Sequence, residues 1–269
     1  MTRAFFASLL VATLVGSIPL CSQSLPLEPP HASPLLAQRV DSAVGSESAD
    51  ALEQRADDLR AAKRYFEAAD DYRAALAMKP NDAMLYNKLG ITELSLQRFR
   101  ASKGYFERAI KSDEHYADAY NNLGVVEYLQ QKCKKAIKQY QKAITLGPDH
   151  ASYYSNLGAA YFLKKDWKDA MAAYTHALQL DPNVFDRTDR NGLAGRIASP
   201  EDRAHFSYVL AKLYAKSGLT EQSLECLRRA MEEGYKGVNE VYSDAEFSQL
   251  RKDPRFIQLM ADRPHPIQE

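Results

Sequence analysis

The sequence predicts an all-α fold in which pairs of helices stack into a superhelix. The first observation behind this prediction is a glycine that recurs every 34 residues, at Gly90, Gly124 and Gly158. A leucine stands directly before each glycine, and a tyrosine stands three residues before each leucine. A fixed period of this length is typical of repeated helical units, none of which can bury its apolar face without its neighbours.

The second observation is that the other half of each unit repeats in the same register. A small residue is followed four positions later by an aromatic residue and then, after three more, by an alanine. The series are Ser102–Phe106–Ala109, Ala136–Tyr140–Ala143 and Ala170–Tyr174–Ala177. Small residues let two helices approach and large ones fill the space between them, while Pro148 and Pro182 end two of the units. This pattern resembles the tetratricopeptide repeat, with tyrosine in the place of tryptophan.

The resemblance implies a tetratricopeptide solenoid of about five helix–turn–helix repeats followed by a C-terminal cap. Repeats 1–4 are predicted within 47–184, as units at about 49–82, 83–116, 117–150 and 151–184, and repeat 5 is predicted at 204–237. Residues 185–203 break the register with several charged residues and a glycine, which predicts an exposed inserted loop. Within that segment, Ser199 and Pro200 also predict the start of a helix, with serine as its cap.

The C-terminal segment, 238–269, is predicted to form a helical cap over the last repeat and a tail. Asp253 and Pro254 predict the start of its last helix. The apolar residues that keep a helical rhythm through this segment are Val241, Phe247, Leu250, Phe256, Ile257 and Met260.

The N-terminal segment differs from the rest of the chain. Arg3 followed by an apolar run to Leu20 predicts a signal peptide over 1–24, so the protein is expected to be exported to the periplasm or the extracellular space. The alternatives are a membrane anchor or lipidation at Cys21. Residues 25–46 contain four prolines and predict a flexible linker. Membrane contact is expected only through an uncleaved or lipidated N-terminus.

Composition and motifs argue against several classes of function. Lysine plus arginine and aspartate plus glutamate number 35 each, and this balance argues against nucleic-acid binding. Three cysteines without a C-x-x-C pair, and histidines without metal-ligand spacing, predict no metal site. No phosphate-binding glycine loop or nucleophile motif is present, so we predict no cofactor, no catalytic residues and no enzymatic activity.

Three features could suggest chemistry but favour structural interpretations. Glu93 and Glu127 stand at equivalent positions of adjacent units, where we expect each to be partly exposed and paired with a lysine or arginine. Cys133 occupies a position that is aromatic in other units and is expected to be a small buried side chain. The lysines between Lys132 and Lys142 are expected to form a solvated outer face.

The resemblance also implies a binding surface, because the first helices of such repeats line a concave groove. Glu53 and Asp57 would make the beginning of this groove acidic, and Lys212 would make its end basic. Transferred position by position, the predicted groove residues are Asn87, Ile91, Leu94, Asn121, Val125, Tyr128, Ser155, Ala159, Phe162 and Lys212.

The predicted function is a protein–protein interaction scaffold that binds a protein or peptide segment in this groove. One alternative is a small-molecule or carbohydrate-binding accessory protein of an envelope enzyme complex, with Tyr128 and Phe162 stacking on a sugar. Another is an assembly factor that associates with itself. The carboxylate clamp of heat-shock co-chaperones is not expected, since only Asn122 fits its pattern.

Overall fold

The computed structural model describes residues 47–185 and 199–264. These residues form α-helices and short 3-10 helices without any strand, and successive α-helices pack in pairs, which confirms the all-α fold. The α-helices are α1 (Ala49–Ala61), α2 (Tyr65–Met78), α3 (Ala83–Ser95), α4 (Phe99–Ser112), α5 (Ala117–Leu129), α6 (Cys133–Leu146), α7 (Ala151–Leu163), α8 (Trp167–Leu180), α9 (Pro200–Lys216), α10 (Thr220–Glu232) and α11 (Pro254–Ala261). The predicted signal peptide, the predicted linker and residues 186–198 lie outside the described residues.

The recurring glycines lie where the two helices of a unit touch. A Cβ atom built on Gly124 would lie 2.6 Å from Cε1 of Tyr140, well inside van der Waals contact, and the glycines of the neighbouring units meet the matching rings in the same way. The fifth unit keeps a further contact of this interface, because Ser223 Oγ donates to the Ala211 carbonyl at 2.7 Å. Ser102 makes the equivalent hydrogen bond at 2.8 Å to the glycine carbonyl of the second unit. The sequence register therefore reflects one repeated helix–helix contact.

The turn between the two helices of each unit contains a left-handed residue. The amide that follows it donates to the carbonyl five residues earlier, as Arg98 N does to Glu93 O at 2.9 Å, so the turn closes the first helix with its last carbonyls satisfied. In the fifth unit this position is Gly218, with φ of 74°. In the first four units it is occupied by residues with side chains and φ between 58° and 63°, namely Lys63, Gln97, Gln131 and Lys165.

The boundaries of the predicted inserted loop need correction. Phe185 is buried rather than exposed, because its ring packs edge-on against Tyr174 at 5.4 Å and against Tyr214 at 6.4 Å. At the other end, residues 200–203 are the first turn of α9, whose start is the predicted one: Ser199 Oγ accepts from the Asp202 amide at 3.0 Å. Aromatic packing thus joins the fourth and fifth units across the interruption.

The C-terminal segment covers the end of the fifth unit. Three short 3-10 helices, Val238–Tyr242, Ala245–Phe247 and Leu250–Lys252, precede α11, which begins at Pro254 with Asp253 as its cap, as predicted. Ile257 shares the helical rhythm of this segment but is 59% exposed, because its side chain lies on the outer side of α11. The buried apolar residues of this cap are Val238, Val241, Phe247, Leu250, Phe256, Leu259 and Met260.

None of the helices in the described part of the chain is both long enough and apolar enough to cross a bilayer.

Candidate functional site

The first helices of the units line the concave side of the stack. Helix α3 contacts α5, and α5 contacts α7, whereas the second helices of neighbouring units approach one another less closely. A stack curves toward the side on which its helices lie closer together, so the first helices form the inner surface.

A row of asparagines runs along this concave surface across three units. Asn122 Nδ2 donates to Asn87 Oδ1 at 2.9 Å, and Asn121 Nδ2 donates to Asn122 Oδ1 at 3.2 Å. Asn156 Nδ2 then donates to Asn121 Oδ1 at 2.9 Å. Asn87 and Asn121 are buried, while Asn122 and Asn156 remain partly exposed. The carboxamides that the row leaves partly exposed, those of Asn122 and Asn156, therefore lie one unit apart.

The ten predicted groove residues differ in exposure. Ile91, Leu94, Val125 and Lys212 are partly exposed. The six others are buried, with 8% or less of their surface exposed: Asn87, Asn121, Tyr128, Ser155, Ala159 and Phe162. Most of the predicted groove positions thus serve packing, and those that remain accessible are three apolar residues and one lysine.

The predicted sugar-stacking pair is not available to a ligand. Tyr128 and Phe162 are 5% and 4% exposed. The Phe162 ring packs edge-on against Trp167 at 5.0 Å and against Phe206 at 5.5 Å. Burial also raises the pKa of the Tyr128 hydroxyl to about 12. Both rings are core residues, because Phe162 packs against α9 and Tyr128 packs among side chains of α6 and α7.

The beginning of the groove is not a free acidic patch. Lys88 Nζ lies 2.6 Å from both Glu53 Oε1 and Asp57 Oδ2 and so neutralises part of their charge. The Tyr72 hydroxyl donates to Asp57 Oδ1 at 2.6 Å. Burial disfavours the charged form of Asp57, but the hydrogen bonds from Lys88 and Tyr72 outweigh it and hold the pKa of this carboxyl below its ordinary value. The predicted acidity is therefore compensated within the fold.

The basic end predicted from Lys212 is compensated as well. Lys212 Nζ lies 3.0 Å from Asp244 Oδ2 and 3.5 Å from Glu246 Oε2, two carboxylates of the C-terminal cap. The Tyr208 hydroxyl also donates to Asp244, at 2.7 Å. Lys212 thus ties the cap to α9, a role that the repeat pattern does not reveal because the cap lies outside it.

Glu93 and Glu127 are paired as predicted, but the expectation that they are partly exposed is wrong. Their exposed fractions are 1% and 3%. Glu93 is paired with Arg73 of α2 and lies 3.4 Å from Arg98. Glu127 Oε1 accepts from Lys103 Nζ of α4 at 2.6 Å. Each carboxylate is therefore held by a cation from the preceding unit, and each pair links two neighbouring units.

Cys133 and the lysines that follow it lie on α6. Cys133 is half-buried rather than buried, because it begins α6 at the edge of the stack, where its Sγ lies 3.6 Å from the Gln131 carbonyl. Lys134 and Lys138 are exposed, and Lys142 Nζ lies 5.8 Å from the centre of the Tyr120 ring. No group of three or more potential metal ligands is found within the described residues.

An aromatic cleft that the repeat pattern does not predict lies between α8 and α9. It has a volume of about 420 Å³, and its wall is formed by Trp167, His205 and Tyr235. The His205 ring lies between the other two, with ring centres 4.4 Å from Trp167 and 5.5 Å from Tyr235. Burial lowers the pKa of His205, so this side chain is neutral at pH 7. The charged residues around the cleft are Lys165, Glu201, Asp202 and Lys236.

The cleft forms because α9 is longer than the first helices of the other units. It has 17 residues where α3, α5 and α7 have 13, and its extra first turn carries Glu201 and Asp202 above Trp167. The sequence signals were the Ser199 cap and a tryptophan at the start of a second helix. They were visible separately, but nothing in the repeat pattern indicated that they meet.

Comparisons with known proteins agree with this architecture. Residues 115–183 match the family model of the tetratricopeptide repeat. No curated protein matches the chain. A solved structure of TTC0263, a thermophilic tetratricopeptide repeat protein in Thermus thermophilus, is 20% identical over 76% of this chain and 100% of that chain, with a TM-score of 0.50.

Two other similar structures are less well superposed. YrrB, described as a tetratricopeptide repeat protein with an unusual peptide-binding site, is 18% identical over 79% of this chain and 98% of that chain, with a TM-score of 0.48. MamA from Desulfovibrio magneticus RS-1 is 24% identical over 51% of this chain and 77% of that chain, with a TM-score of 0.46. The family match confirms the predicted repeats over residues 115–183, and the paired helices on either side continue the same architecture.

Proposed function

We propose that this tetratricopeptide repeat protein is a non-catalytic scaffold whose concave surface binds an extended segment of a partner protein. The observation that carries this proposal is the asparagine row from Asn87 to Asn156. A carboxamide carries both hydrogen-bond donors and acceptors, and so does each peptide group of an extended chain. A row of carboxamides one unit apart is therefore suited to bind a peptide backbone with little dependence on its sequence.

Apolar contacts beside the row would supply further affinity. Ile91 and Val125 are partly exposed on the same face of the first helices, one turn beyond Asn87 and Asn121. An extended segment places alternate side chains on opposite sides, so its backbone would meet the asparagines while some of its side chains lie against these residues.

The groove is tested by selecting peptides from a random library displayed on phage. We expect that peptides retained by the purified protein are lost when Asn122 and Asn156 are both replaced by alanine. Asn239→Ala is the matched control, since this exposed asparagine lies in the C-terminal cap. Circular dichroism must show that all three proteins are folded at the temperature of selection. Equal retention of the same peptides by the double variant would refute binding along the row.

We also propose that the protein acts outside the cytoplasm, on the basis of the N-terminal sequence pattern alone. Mass spectrometry of the protein purified from its source should show a chain that begins near residue 25. A chain that retains Met1 would exclude cleavage, and a lipid on Cys21 would establish the membrane-anchored alternative.

A further inference from the structure

We propose that the aromatic cleft beside Trp167 binds the guanidinium group of an arginine in the partner segment. This inference deepens the proposed function and rests on it, since it assigns one side chain of the bound segment. The cleft is a concave site of about 420 Å³ with an aromatic wall and charged groups around it, which are general features of a binding pocket.

The first argument concerns aromatic rings on the rest of the described surface, several of which are covered by a cation of this chain. Arg98 lies 5.1 Å from the centre of the Phe66 ring. Arg108 lies 5.9 Å from the centres of the Tyr86 and Tyr105 rings. Such cation–π contacts are favourable and are most often made by arginine.

Trp167 and Tyr235 form no such contact with a cation of the described chain. Trp167 is 37% exposed, although tryptophan presents the most favourable ring face for a cation. The lysines of the cleft, Lys165 and Lys236, are close to these rings but do not lie over them. Tyr235 itself stacks on Tyr208 at 4.4 Å, so within the described residues it is the exposed part of Trp167 that remains open to a cation.

The second argument is the charge around the cleft. Glu201 and Asp202 stand on its rim, and Glu240 Oε2 accepts from the Tyr235 hydroxyl at 3.2 Å. The lining itself holds two carboxylates and two lysines, Lys165 and Lys236, so the rim offers a guanidinium group carboxylate partners without a net negative charge. Both lysines are exposed, and Lys236 Nζ is 3.7 Å from Glu201 Oε1 across an open surface, a weak pair that an incoming cation would replace.

Arginine fits this combination better than lysine does. Its planar guanidinium stacks on aromatic faces and offers a fork of donors that matches a carboxylate, whereas the ammonium group of lysine is a strongly hydrated point charge. Asp202 Oδ2 already accepts from Ser199 Oγ at 2.7 Å, which holds this carboxylate in place beside the wall.

The cleft is also continuous with the concave surface. A smaller hollow of about 110 Å³, lined in part by Tyr128 and Phe162, shares Lys165 and Asp202 with it. A segment that follows the asparagine row from Asn87 to Asn156 is therefore directed toward this end. The arginine would lie at one end of the bound segment, beyond the part held by the row.

The chain provides its own probe, because Trp167 is the single tryptophan in the sequence. We would titrate the full protein with N-acetyl-L-arginine amide and follow tryptophan fluorescence, with the uncharged isostere N-acetyl-L-citrulline amide as the control ligand. We expect a saturable change with a Kd on the order of 1 mM for arginine and at least about tenfold weaker binding for citrulline. Equal responses to the two ligands, or tighter binding of N-acetyl-L-phenylalanine amide, would overturn the proposal.

Two variants that should leave the fold intact test the location of the arginine site. Glu201 is 84% exposed at its side chain, so Glu201→Gln should leave folding intact and weaken arginine binding about threefold or more. Glu225→Gln is the matched control, since this exposed glutamate of α10 lines a separate cleft with Arg228 and Arg255. Arginine binding unchanged by Glu201→Gln, or weakened equally by both variants, would contradict the assigned site.

The failures of the two proposals are distinguishable. Library peptides that need the asparagine row but show no enrichment of arginine would refute this inference and leave the proposed function standing. Saturable arginine binding that is sensitive to Glu201→Gln, with no peptide retained by the groove, would support the guanidinium site and refute the proposed function.

Discussion

The buried glutamates Glu93 and Glu127 show how far a single position can be interpreted from sequence. Their pairing with cations was predictable, because an acidic residue in an otherwise apolar position needs a partner. Their near-complete burial was not, since it depends on Arg73 and Lys103, which reach across from the preceding unit and lie about 20 residues away in sequence. A carboxylate buried with its partner is costly to disturb, because removal of one charge leaves the other uncompensated.

The pair of Arg73 with the buried Glu93 predicts a large loss of stability when the arginine side chain is truncated. Arg73→Ala, which leaves the buried Glu93 with only the more distant Arg98, should lower the free energy of unfolding by about 3 kcal/mol. Urea unfolding followed by circular dichroism measures the change. The matched control is Arg64→Ala, which removes an exposed, solvent-screened pair with Glu67 and should lower the free energy of unfolding far less than Arg73→Ala does. Equal losses in the two variants would show that burial does not govern the strength of this pair.

The Asp57 carboxyl predicts a dependence on pH. Its pKa is lowered in the folded protein, so its contribution to stability is present above the ordinary pKa of 3.8 and is lost as the pH falls through the folded value. Asp57→Asn should therefore be less stable than the native protein at pH 7, by on the order of 1 kcal/mol, and the difference should shrink below about pH 3.8. Urea unfolding at pH 7 and pH 3 measures both values, and a difference that grows at pH 3 would contradict the assignment.

At the scale of the element, helix pairs and several helix starts followed from local patterns, but the turns between paired helices did not. Ser199 and Asp253 are recognisable caps because side-chain acceptors before a helix are a local signal. The left-handed residues carry no such signal, since lysine and glutamine are not residues that usually adopt this conformation. The start of α9 was predicted from Ser199 and Pro200, but the position of its first turn beside Trp167 was not, because that turn lies outside the repeat register.

The left-handed turns predict an unusual effect of glycine. Gln131 has φ of 58°, so Gln131→Gly relieves a strained conformation and should raise the free energy of unfolding by about 0.5 kcal/mol after the entropic cost of glycine. The adjacent Gln130 has φ of −89°, and there the same substitution should lower the free energy of unfolding by about 0.5–1 kcal/mol. Thermal unfolding of the two variants measures the difference, and stabilisation by neither would show that the turn is unstrained.

At the scale of the whole molecule, the repeat pattern was sufficient to predict the solenoid, because each unit contacts mainly its neighbours. The candidate binding surface was predictable only in outline. Family positions located the concave side, but burial of Phe162 depends on α9, which follows an interruption of the register. The aromatic cleft depends on the same junction. Where the units stop repeating, sequence periodicity no longer constrains which side chains meet.

The C-terminal cap predicts where the stack is most sensitive to truncation of an apolar side chain. Phe247 is fully buried and packs 5.7 Å from the Tyr208 ring, so Phe247→Ala should lower the free energy of unfolding by about 3–5 kcal/mol. Ile257→Ala, at the exposed position of the same cap, should change it by less than about 0.5 kcal/mol. Urea unfolding of both variants compares them, and a small loss for Phe247→Ala would mean that the cap contributes little to the fifth unit.

The links between units also restrict the order in which the units can be assembled. Glu93 and Glu127 each need a cation from the preceding unit. At the interface between the third and fourth units the contact is uncharged, because Gln141 Nε2 donates to the Tyr161 hydroxyl at 3.2 Å. If recombination exchanged the second and third units, Glu93 would lose Arg73 and face a helix that offers Gln141 instead. Similar neighbouring units are prone to pair out of sequence during folding. Such an exchange would leave a buried glutamate without its cation and is therefore unfavourable. Units with similar sequences thus cannot replace one another in the stack.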